Sequence, residues 1–143
     1  MAAALDEIVA ELADADRQER IELLIDFAKK LPPLPDRLVA HKDASHRVEE
    51  CQSPVYLFVE LKDDRVMLHA DAPIEAPTVR GFVSLLIEGL DGAKPEEVLA
   101  IRGDLIDRIG LPEILGMLRV RGLAGVLARL KAEVSRALIA RAG

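Results

Sequence analysis

The chain has 143 residues, half of them hydrophobic and 31% charged, which suits one globular domain, 1–143, able to bury its apolar surface. A net charge of -6 without any basic run, and aromatics limited to three Phe and one Tyr, exclude the electrostatic footprint and stacking platforms of a nucleic-acid binder. The single cysteine, Cys51, excludes an internal disulfide and any zinc or iron-sulfur site made from this chain's thiolates alone; no metal or cofactor is expected.

Apolar stretches fall well short of the roughly 18 residues of a membrane span, and no basic flank followed by an apolar stretch and a cleavage site is visible. A reducing, cytoplasmic setting is the expectation.

Leu5, Ile8, Val9 and Leu12 repeat at helical spacing. After Ala13-Asp14-Ala15, Asp16 and Glu19 have the spacing of a capping box for a second helix, which should bury Ile21, Leu24, Ile25, Ala28 and Leu31. Lys29 and Lys30 suit its C-terminal dipole, and Leu31-Pro32-Pro33-Leu34-Pro35 stops it. The segment 32–46 reads as a surface connection carrying His41 and His46, both ordinary solvated residues on this reading.

Val55 to Leu61 is rich in β-formers, Lys62-Asp63-Asp64-Arg65 supplies a turn, and Val66 to Ala70 resumes the run, giving a hairpin with His69 on one face. Arg47-Val48 adds a short edge strand, for about three antiparallel strands. Pro77 opens a helix carrying Val79, Phe82, Val83, Leu86 and Ile87 to cover the sheet, and Gly81 permits a close approach to the sheet or to the cysteine loop. Short helical pieces follow at Lys94-Pro95-Glu96-Glu97 and from Asp104 to Ile109. From Gly122 a long final helix buries Val126, Leu127, Leu130, Val134 and Leu138, with Arg129, Lys131 and Arg136 on its polar side. Helices, a small antiparallel sheet, then helices make an α+β fold.

Cys51 stands between Glu49-Glu50 and Gln52-Ser53-Pro54, where Pro54 biases Ser53 toward extended backbone, so the thiol is expected on a loop tip. A free cysteine also packs as a small hydrophobe, but the polar neighbours on both sides favour a thiol placed for use. The two glutamates, with any burial, should raise its pKa and keep it protonated. Three chemistries are compatible. A thiol hydrolase would use His46 or His41 as base and Asp43 as orienter; a binding module would hold Cys51 as structure; a group carrier needs only access to the sulfur.

Glu50-Cys51-Gln52-Ser53-Pro54-Val55-Tyr56 resembles the Gly-Cys-Gln-Ser-x-Val-Trp signature of the SufE family of sulfur acceptors. Leu31-Pro32-Pro33-Leu34, the stretch from Asp71-Ala72-Pro73-Ile74 to Val79-Arg80-Gly81-Phe82, and Arg119-Val120-Arg121-Gly122-Leu123 resemble further family segments in the same order. Glu50 replaces a glycine, Tyr56 a tryptophan and Leu118 a serine, and Pro54 stands after Gln-Ser. The resemblance implies a SufE/IscU-like fold and a Cys51 that takes persulfide sulfur from a SufS-type cysteine desulfurase, stimulating it, and passes the sulfur to an iron-sulfur scaffold of the SufBCD type. It further implies that the pyridoxal phosphate belongs to the desulfurase and that the cysteine is sheltered until docking. Arg119 and Arg121 are then candidates to stabilise a thiolate, with plain salt bridging as the alternative.

Overall fold

Two helices, a hairpin and a second group of helices follow one another in a computed structural model that describes residues 3–142. Helix α1 spans Ala3–Asp14 and α2 Arg17–Lys30. The capping box is formed: Glu19 N donates to Asp16 Oδ1 at 2.9 Å, and Asp16 N donates to Glu19 Oε1 at 3.2 Å. A one-turn helix α3, Asp36–Val39, interrupts the connection to the sheet.

Strands β1 (Tyr56–Lys62) and β2 (Arg65–Asp71) pair antiparallel, with Lys62 opposite Arg65 across Asp63-Asp64. Both aspartates have positive φ, 52° and 62°, the backbone a two-residue hairpin needs to match strand twist, and aspartate tolerates it better than most residues. The third strand expected at Arg47-Val48 contracts to one isolated bridge, Arg47 to Tyr56, so the sheet has two strands among the described residues. The edges are nonetheless occupied. Leu57 N donates to His46 O on one side, while Val66 N donates to Ala93 O and Gly92 N donates to Val66 O on the other. Asp91 Oδ1 accepts from Leu68 N at 2.9 Å, so irregular backbone and a side chain take the place of further strands.

Helix α4 (Pro77–Leu90) is the centre of the core: every residue from Gly81 to Ile87 is buried. It packs between α2, α1 and β2, which is why apolar residues cover most of its surface and leave Glu88 on the exposed remainder. Short helices α5 (Pro95–Leu99) and α6 (Leu105–Arg108) and a 3-10 turn at Leu111–Glu113 close the base. Helix α7, Met117–Ala142, starts five residues before the expected Gly122. Leu138 at its far end is only partly buried. No helix among the described residues is long and apolar enough to cross a membrane.

The buried stripe of α2 is rotated from the expected one. Arg20, Leu24, Phe27 and Ala28 are buried, whereas Ile21 and Ile25 lie half-buried at its margin. Two contacts explain the rotation. Arg20 turns inward to donate from Nε to Leu12 O and from Nη2 to Ala15 O, satisfying carbonyls at the end of α1. Leu24 faces Gly81, where a Cβ would lie 2.1 Å from Leu24 O. The close approach that Gly81 permits is therefore to α2, and not to the sheet or the cysteine loop. Gly81→Ala should cost about 2 kcal/mol or more by forcing α2 and α4 apart, read as a lower midpoint in chemical denaturation with unchanged slope.

Candidate functional site

Val48 and Val55 define the base of the cysteine loop. Both are fully buried, and Val48 N donates to Val55 O at 2.9 Å. Two β-branched anchors thus close a loop of residues 49–54, inside which Cys51 N donates to Val48 O at 3.3 Å and Val55 N to Ser53 O at 2.8 Å. The stem before it is held by α7. Arg129 donates from Nη1 to Arg47 O at 3.1 Å and from Nη2 to Ser45 O, while its Nε donates to Glu133 Oε1 at 3.1 Å. Arg129 and Lys131, read as polar-face residues, are therefore tertiary ties, since Lys131 Nζ also donates to Ile101 O at 2.7 Å.

The expected loop is present, but its thiol is not at an exposed tip: Cys51 is 3% exposed and belongs to the core cluster. Its side chain folds back over α7 because Gly122 leaves room for it. A Cβ at 122 would lie 3.1 Å from Cys51 Cα and 3.2 Å from Sγ, closer than ordinary packing. The sulfur borders a niche of about 90 Å³ lined by Cys51, Gln52, Ser53, Val79, Leu118, Arg119 and Gly122. Met117 and Leu118, 73% and 55% exposed, form an apolar lip beside it.

Burial pushes the Cys51 thiol up from its ordinary pKa; the Ser53 N–H and the positive charges of Arg47 and Arg119 oppose that rise without cancelling it. The direction is the one expected from sequence, but its leading cause is lost hydration. Glu49 and Glu50 are both exposed and are not among the causes. Of the two candidate arginines, Arg119 lines the niche and Arg121 does not; neighbours two positions apart on a helix face different ways.

Neither His41 nor His46 lines the niche, and among the described residues no hydrogen bond joins either ring to Cys51. His46 stacks on Phe58 with centroids 4.4 Å apart, and its Nδ1 lies 3.2 Å from Asp43 Oδ1. His69 is a strand residue with Nε2 3.9 Å from Glu60 Oε1. The described residues contain no cluster of His, Cys, Asp and Glu able to hold a metal ion.

An α+β frame that tucks its one thiol under a short loop, with no histidine bonded to it among the described residues, defines a single-cysteine α+β domain with a buried thiol. The family model described as "SufE: Fe-S metabolism associated domain" matches residues 6–134. A SufE-like protein of Mycobacterium tuberculosis is 42% identical over 136 residues, covering 94% of each chain. The cysteine desulfuration protein SufE of Plasmodium falciparum is 30% identical over 112 residues, which is 73% of this chain and 42% of that protein. The solution structure of a protein from Thermus thermophilus superposes with a TM-score of 0.84 at 34% identity, covering 97% of this chain and 98% of that one. The chain belongs to the SufE family.

A raised thiol pKa has a definite sign in linkage. The buried neutral thiol contributes stability that is fully present below the unfolded chain's thiol pKa and lost as pH rises through the folded value. Iodoacetamide alkylation of native protein should accordingly reach its pH midpoint above that of the urea-unfolded chain. Arg119→Ala should move the native midpoint further up, because a charge favouring thiolate is gone.

Proposed function

We propose that this protein accepts persulfide sulfur on Cys51 from a pyridoxal-phosphate-dependent cysteine desulfurase of the SufS type, stimulates that enzyme by unloading it, and delivers the sulfur to an iron-sulfur scaffold of the SufBCD type in the cytoplasm. Family membership and the desulfuration named for the Plasmodium relative support the reaction class. The observation that carries the reading is the setting of the sole thiol, sheltered at 3% exposure on a short loop with no histidine bonded to it among the described residues. A hydrolase needs a standing base beside its sulfur, whereas a carrier needs a sulfur that is inert until a donor arrives.

The exchange balances without an outside oxidant or reductant. The Cys51 thiolate attacks the terminal sulfur of the donor's cysteine persulfide; the donor's S–S bond breaks, its cysteine leaves as a thiolate, and a new S–S bond forms on Cys51. The Cys51 proton passes to solvent or to the departing thiolate. Docking has two tasks: lifting the loop so that the sulfur is accessible in line, and rehydrating it so that its pKa falls. Arg119, at the edge of the niche, adds positive charge near the thiolate as it forms. The lip of Met117 and Leu118 offers apolar surface for the donor to cover.

Incubation with the desulfurase and free cysteine should add one sulfur to the intact mass, removable by a reductant, with none on Cys51→Ser and an undiminished gain on His46→Ala. Uptake by Cys51→Ser, or ester hydrolysis by the isolated protein that depends on His46, would overturn the assignment.

A further inference from the structure

Glu50 stands on the cysteine loop directly against α7 at Gly125, one turn beyond the Gly122 that receives Cys51. Residues three apart lie on one helix face, so the two glycines form a single bare strip under the loop. The contact at Gly125 is the tighter one. A Cβ there would lie 2.5 Å from Glu50 Cβ, 2.9 Å from Oε2 and 3.0 Å from Cγ, all three of them atoms of the Glu50 side chain. The carboxylate end can rotate away, but Cβ is fixed to the loop backbone, so bulk at 125 must displace the backbone at 50 and with it the neighbouring Cys51.

We propose that Glu50 and Gly125 are a matched pair of positioning residues that sets how closely the cysteine loop is seated, and therefore how well the thiol is withheld. Neither residue lines the niche beside Cys51. Glutamate at 50 is accommodated because 125 carries no side chain, and a side chain at 125 is accommodated only if 50 has none. The surroundings make the effect local. Arg129 holds Ser45 and Arg47 from one turn further along α7, and Val48 and Val55 pin the base, so displacement at 50 is absorbed within residues 49–54. Alanine itself favours helix over glycine, so Gly125→Ala does not weaken α7 through its intrinsic propensity.

The seating rests on geometry alone, and only its consequence for sulfur uptake rests on the proposed relay. The test is native-state alkylation with iodoacetamide, alongside circular dichroism and thermal unfolding, on wild type, Gly125→Ala and the double variant Glu50→Gly/Gly125→Ala. Gly125→Ala should raise the alkylation rate about tenfold, as overpacking of this size disfavours the closed loop, while helix content is kept. The double variant should return toward the wild-type rate, since the three atoms nearest to a Cβ at 125 have been removed. A folded Gly125→Ala protein that alkylates like wild type overturns the proposal, as does a double variant that stays as fast as the single one. Should Gly125→Ala fail to fold, recovery of a cooperative transition in the double variant supports the pairing and continued failure overturns it. With desulfurase and cysteine added, Gly125→Ala should gain sulfur faster than wild type. If no variant gains sulfur while the alkylation pattern holds, the relay reading falls and the pairing stands.

Discussion

The arrangement depends on the close approach of the cysteine loop to α7. A loop of residues 49–54 has no core of its own, and its closed position exists because the helix beneath it is bare at Gly122, where Cys51 rests. That helix is a firm platform. Val126, Leu130 and Val134 are fully buried on its inner side, and Lys131 ties it to the carbonyl of Ile101. Arg129 serves platform and loop together, bound to Glu133 within α7 and to the carbonyls of Ser45 and Arg47 across the interface. Each of those carbonyls would otherwise lack a fixed partner at the point where the backbone leaves the sheet edge.

Shelter and reactivity pull in opposite directions at Cys51. As a neutral thiol it packs like a small hydrophobe against its neighbours, which favours the closed loop. As a thiolate it would forfeit hydration, and the opposing contributions of Ser53, Arg47 and Arg119 leave burial dominant. A free, low-pKa thiol oxidises and exchanges indiscriminately; a neutral one under a loop does not. On the proposed relay, this makes discrimination between donors a matter of docking, because the sulfur is reactive only where a partner has displaced the loop.

The sequence exposes those features that arise from local chemistry. The capping box at Asp16 and Glu19, the hairpin, the Pro77 helix start, the α+β class and the cysteine loop all follow from residues close together in the chain and appear in the structure. Where sequence and structure part, the cause is tertiary. Nothing near Arg20 signals that it bends back to satisfy Leu12 and Ala15, and so periodicity finds Leu24, Ala28 and Leu31 in the buried stripe of α2 but adds Ile21 and Ile25 and misses Arg20. The edge strand at Arg47-Val48 shrinks to a bridge because the chain meets the β1 edge only through His46 O and Val48 N before it turns into the cysteine loop. The thiol reads as exposed because Glu49, Glu50 and Gln52 beside it are indeed exposed. What buries it is Gly122, seventy-one positions away, a glycine whose significance is visible only in three dimensions. Periodicity likewise assigns Arg129 to water, whereas its guanidinium spans two elements.

The paired valines at the loop base also fix a length. Residues 49–54 span roughly 20 Å when fully stretched, and a strand that must go out and come back projects only about half that far. So short a tether cannot ferry its cargo across an open gap between separate proteins. On the proposed relay, donor and acceptor must each bring a reaction centre to within about 10 Å of this surface, and because both would address the same few residues, they must take turns.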